Sequence, residues 1–194
     1  GKYFAEYDDM LRNMILKKQA VTDCMESALE QQQFQVYFQP KYRISDEKLA
    51  GAEALVRWKH PEWGLQSPAE FIPLFEQNGF ITKLDQFVWD KVCSSMKEWD
   101  LEGCRGSQFL LMYPGPIYTM QTCPRFSGKR LKNYQLPASR LHLEITESAY
   151  TENPKQIIDT VSRLRDMGFV IENGRFWQRI FLAEYVKMKC RLIS

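Results

Sequence analysis

No apolar run in these 194 residues is long enough to cross a bilayer, and the amino terminus lacks the basic-then-apolar pattern of a secretory signal. A membrane segment within the chain is therefore not expected, and a cytoplasmic setting is, with membrane anchoring of a longer parent protein left open. An excess of one charge is also lacking. Lys and Arg number 26 against 24 Asp and Glu, the net charge is +2 and the pI is near 8.3. With both signs interspersed, there is no basic stripe for a nucleic-acid polymer. Metal-ligating sulfur and imidazole are scarce: five cysteines, an odd number without CxxC spacing, and two histidines that do not pair with them. Reduced thiols and no zinc site follow. What is present, 44% hydrophobic and 26% charged residues, suits one soluble globular core. The length is short for a complete eight-fold α/β barrel.

The organising stretch is Phe34 to Trp58, FQVYFQPKYRISDEKLAGAEALVRW. Aromatic and β-branched residues from Gln35 to Tyr42 predict a strand, Ser45-Asp46-Glu47-Lys48 a turn, and the apolar run from Leu49 a second strand. Alternation puts Gly51, Glu53, Leu55 and Arg57 on one face of that strand and Ala50, Ala52, Ala54, Val56 and Trp58 on the other. Glu53 thus stands among small apolar residues, where an unpaired carboxylate is costly. It either faces solvent from a half-buried strand or holds a metal, with Arg57 on the same face as an anion holder.

Glu53-Ala54-Leu55-Val56-Arg57-Trp58 follows Phe38-Gln39-Pro40 and precedes His60-Pro61, Gly64, Ser67-Pro68 and Glu70-Phe71-Ile72-Pro73. In this order and spacing, from Tyr37 to Trp89, the chain closely resembles the EAL family of cyclic di-GMP phosphodiesterases. The resemblance implies a TIM-barrel-like α/β fold and a two-metal site using Mg²⁺ or Mn²⁺. By the same match Glu53 is a metal ligand, Arg57 holds a phosphate of cyclic di-GMP, Gln39 lies near a guanine, and Leu55 belongs to the substrate-binding set. The second acidic motif, Leu143-Glu144-Ile145-Thr146-Glu147, makes Glu144 a second metal ligand and catalytic residue beside Glu53, and Glu147 a stabiliser of a catalytic loop. A homodimer through the EAL domain and an upstream GGDEF or sensory domain are implied partners. Lys2 to Lys18 is similar to the tail of a GGDEF domain, so residues 1–20 are expected as a linker helix and 21–194 as a partial EAL domain.

Along the chain, Tyr3 to Ala20 reads as a helix, and Asp23 with Glu26 as a capping box for a separate short helix, Cys24 to Gln32. Ser67 and Pro68 open a helix with Phe71, Leu74 and Phe75 inward, ended by Gly79. Thr82 to Trp99 is amphipathic through Leu84, Phe87, Val88, Val92 and Met96. A strand is expected at Leu141 to Ser148, with His142 an ordinary polar residue on it. Pro154 to Met167 reads as a helix with Ile157, Ile158, Val161 and Leu164 inward, and Phe169 to Glu172 as a strand.

Two segments, about 107–130 and 173–194, depart from the family. Where it has an Asn-x-Ser strand element, this chain has Phe109-Leu110-Leu111-Met112-Tyr113-Pro114-Gly115-Pro116, and the prolines predict that no strand forms there. Regular structure is expected to resume at Asn133. Where the family has paired aspartates before Phe-Gly, this chain has Asn173-Gly174-Arg175-Phe176-Trp177. Both edges are sharp. One base earlier across Phe109 to Pro124, the genetic code permits a run containing Asn-Val-Ser; one base later after Glu172, it permits Met-Asp-Asp-Phe-Gly. These departures imply a disabled or incomplete phosphodiesterase, or alternatively a non-catalytic module that binds cyclic di-GMP or a protein partner.

Overall fold

The computed structural model describes residues 9–42, 44–47, 49–103, 108–113, 128–145 and 154–173. Within them the order is α1 (Asp9–Glu30), β1 (Phe34–Tyr42), β2 (Leu49–His60), β3 (Gly64–Gln66), α2 (Pro68–Asn78), α3 (Ile81–Leu101) and β4 (Gln108–Tyr113), followed by a helix at 128–134 (α4), β5 (Leu141–Ile145), α5 (Pro154–Asp166) and β6 (Val170–Asn173). One sheet joins six strands in the order β1-β2-β4-β5-β6, with β3 on β2. β1 and β2 are antiparallel, whereas β2, β4, β5 and β6 run parallel. Parallel neighbours need crossover segments, and α2 with α3, then α4, then α5 lie between them in sequence.

The sheet buries one face against helices in two clusters. Phe34 and Trp58 meet Phe71 and Phe75 of α2, Ile81 and Leu84 of α3, and Val21 and Ala28 of α1, all nearly inaccessible. Aromatic rings dominate this cluster: Phe34 sits 5.2 Å from Trp58 and 5.8 Å, edge on, from Phe71. The second cluster is more aliphatic, with Phe38, Ala52 and Ala54 joined to Val92, Cys93 and Met96 of α3, Leu141 and Leu143 of β5, and Val161 and Leu164 of α5. Both clusters draw on the even-numbered side of β1 and β2, the side of β2 that alternation set apart from Glu53 and Arg57.

The hairpin register aligns Phe34 with Trp58 and Gln39 with Glu53. Ser67 and Pro68 do open α2, although the Ser67 side chain makes no cap bond, and Gly79 ends it at φ 80°, a left-handed conformation that glycine adopts without strain.

Five expectations are corrected. β4 forms: its apolar residues pair parallel with β2 and β5 through Tyr113, its last residue, and Pro114 and Pro116 come after it in sequence, outside the described residues. Regular structure resumes before Asn133, because 128–134 is already helical. Asp23 and Glu26 form no capping box, since α1 is continuous through them; Asp23 accepts from Gln19 Nε2 at 2.7 Å and Glu26 pairs with Lys83. Ile158 is 60% exposed, because the buried stripe of α5 runs through Val161 and Leu164 instead. β3, a three-residue strand after Glu62-Trp63, was not foreseen.

Candidate functional site

The other side of the β1–β2 hairpin carries Gln35, Tyr37, Gln39 and Lys41 beside Gly51, Glu53, Leu55 and Arg57, in keeping with the period of two. Apart from the fully covered Gly51, these residues are half-buried. Gln39 stands directly opposite Glu53. Tyr37 donates its hydroxyl to Gln35 Oε1 at 3.0 Å, and Arg57 donates Nη1 to the Val56 carbonyl at 2.8 Å.

Glu53 is engaged by a cation. Lys41 Nζ lies 2.8 Å from Glu53 Oε2, and the two side chains retain only 12% and 13% of their exposure. Lys41 pairs across the hairpin with Gly51, so Glu53 is its diagonal neighbour, within reach of a long side chain. Sequence reasoning passed over Lys41, yet the signal was present: it shares the parity of Gln39 and stands two residues beyond it.

The register also places the second acid. Glu53 aligns with Leu110 of β4, and Leu110 with His142 of β5; one pleat repeat further along, Met112 aligns with Glu144, and Glu144 with Glu172 of β6. Positions 53 and 144 therefore share a pleat parity, with one strand between them. Two strand spacings and a two-residue offset put their Cα atoms on the order of 12 Å apart. His142, expected as an ordinary polar residue, is buried at 7%. Glu147 lies outside the described residues.

A two-ion site needs several hard oxygen donors converging on one point. Among the described residues no three His, Cys, Asp or Glu side chains do so, and the Glu53 carboxylate already holds an ammonium. The donors described thus do not fit a pair of divalent ions.

The resolved pKa shifts lie away from this face. Burial lowers His60, whose Nδ1 accepts from the backbone N–H groups of Glu62 and Trp63 at 3.2 Å each, and whose ring stacks on Trp63 at 3.7 Å. Burial pushes the Cys93 thiol up to about 12. Arg130 is raised by its ion pair with Asp90, which joins α4 to α3.

Comparison with known proteins gives these observations a lineage. The profile described as "EAL domain" matches residues 23–176. The cyclic di-GMP phosphodiesterase NbdA of Pseudomonas aeruginosa is 32% identical over 144 residues, covering 74% of this chain and 18% of that protein. The bifunctional diguanylate cyclase/cyclic di-GMP phosphodiesterase MucR of the same organism is 30% identical over 160 residues, covering 78% and 22%. This chain therefore spans about a fifth of the length of these curated relatives. The solved PaMucR phosphodiesterase in complex with c-di-GMP superposes with a TM-score of 0.73 at 28% identity, over 78% of this chain and 62% of that one. No helix among the described residues is long and apolar enough to cross a membrane. With a matching profile over most of its length and a TIM-barrel-like α/β sheet, the chain belongs to the EAL domain family.

Proposed function

We propose that this EAL domain descends from metal-dependent cyclic di-GMP phosphodiesterases and, as this polypeptide, does not turn the nucleotide over. The observation that supports the reading lies at the ends of β4 and β6. There the family's Asn-x-Ser element and aspartate pair are replaced by Leu111-Met112-Tyr113 and by Asn173-Gly174-Arg175. Hydrolysis of a phosphodiester needs the phosphate charge neutralised and a water made nucleophilic, work that Mg²⁺ or Mn²⁺ supplies when bound in pairs. Glu53 and Glu144 alone leave such a pair without enough ligands.

What the hairpin retains favours a second function for the same face. With Arg57 as the phosphate holder, Gln39 as the guanine contact and Leu55 as their apolar neighbour, the retained side chains of this face support a non-catalytic module that binds cyclic di-GMP. Dimerisation through the domain and an upstream GGDEF or sensory partner belong to the same proposal. Calorimetric titration of the protein with cyclic di-GMP, with and without Mg²⁺, tests the module: saturable heat that is indifferent to Mg²⁺ and falls at least tenfold in affinity in Arg57→Ala supports it, and absence of heat in both titrations ends it.

A further inference from the structure

We propose that Lys41 is an internal cation that takes the place of a divalent metal ion at Glu53. The proposal rests on the reading that Glu53 faces the metal position. It explains more than the missing ligands do, because it concerns an acid that this chain has kept.

The ammonium and the carboxylate are in hydrogen-bonding contact at 2.8 Å, and both side chains are largely withdrawn from water. A charge-assisted bond of this kind is short and strong, and neither partner can be left behind in a half-dry site without a heavy desolvation cost. The hairpin builds the contact. Antiparallel register fixes Lys41 opposite Gly51, which has no side chain to intervene, and the next residue on that face of β2 is Glu53.

A divalent ion bound to the same carboxylate would stand a few ångströms from the Lys41 ammonium. Like charges at that range in a medium poorer than water repel strongly. Metal entry at Glu53 therefore requires Lys41 to leave, and while it stays the site is already neutralised. With Lys41 offsetting Glu53, the positive charge that an anionic phosphodiester would meet on this face is Arg57, which makes nucleotide binding independent of divalent ions.

Titration with Mn²⁺ followed by electron paramagnetic resonance tests this on the full chain. The free ion gives the signal and bound ion loses it, so affinity is read without reference to turnover. Lys41→Met is expected to bind Mn²⁺ at least tenfold more tightly than the unaltered protein, and adding Glu53→Gln is expected to abolish the gain. Equal affinity of the two proteins, or a gain that survives Glu53→Gln, would overturn the proposal. Should Lys41→Met not fold, Glu53→Gln alone decides: no change in Mn²⁺ affinity is expected, and a tenfold loss would show that Glu53 already binds metal with Lys41 in place. Chromatography for pGpG reports separately on the absence of turnover, so the two readings fail independently.

Discussion

The two ends of the sheet are held in different ways. Under the antiparallel hairpin, the aromatic cluster is completed by α1, α2 and α3, so nearly every partner comes from one stretch, Val21 to Leu84. The second cluster joins α3 and the hairpin residues Phe38, Ala52 and Ala54 to residues 131–169, separated in sequence by long crossovers. Local contacts close short loops, whereas parallel pairing must first order its crossover segments. The hairpin end is therefore expected to be the more robust unit, and it is also the end that carries Gln39, Lys41, Glu53, Leu55 and Arg57.

Substitutions in the two clusters can break this contrast. The largest effect is expected from Trp58→Ala, which removes a fully buried indole at the centre of five ring contacts and one hydrogen bond, Nε1 to Gln33 Oε1 at 3.0 Å. A loss of about 4 kcal/mol in urea denaturation is expected, with amide protection falling across the whole sheet. Leu143→Ala, in the parallel cluster, should cost about 3 kcal/mol. Its effect on hydrogen exchange should concentrate in β5 and β6, leaving the hairpin amides protected; equal loss in β1 and β2 would show that the ends are not separable.

A smaller effect sharpens the picture at the β2–β3 turn. His60 is held neutral by burial and by two backbone donors aimed at Nδ1, so its folded pKa lies below the ordinary 6.5. Nearby Glu62 opposes the shift and the Cys24 thiol lies 4.0 Å from Nε2, but burial prevails. As pH falls through 6.5 the unfolded chain takes the proton first. Stability is thus complete above that pH and declines below it until the folded ring also protonates. Stability curves measured from pH 7.5 to 5 should show this decline, and His60→Gln should flatten it. An unchanged slope in the variant would assign the effect elsewhere.

Much of the hairpin end was legible because its residues obey a single period. Alternation alone separated Ala52, Ala54 and Trp58 from Glu53, Leu55 and Arg57, and turn chemistry at Ser67-Pro68 and Gly79 bounded α2 correctly. The parallel end was less legible because two signals competed. Phe109 to Met112 is as apolar as any strand, and the prolines after Tyr113 were given too much weight within it. Ile158 misled because a helix as polar as α5 leaves room for more apolar positions than its buried stripe uses. Lys41 was missed because a lysine on a strand reads as solvent-facing until its diagonal partner is known. The abrupt loss of the family's motifs near residues 109–124 and after Glu172 is proposed to reflect single-base insertions or deletions in the reading frame; codons in the gene that cannot spell Asn-Val-Ser and Asp-Asp-Phe-Gly out of frame would end that idea.

The central claim is that the nucleotide face has outlived the chemistry once performed there. Its most direct test is a single-turnover experiment, with purified protein in excess over cyclic di-GMP, Mn²⁺ or Mg²⁺ present, and the products separated by chromatography. The account predicts intact cyclic di-GMP after long incubation; metal-dependent appearance of pGpG would contradict it.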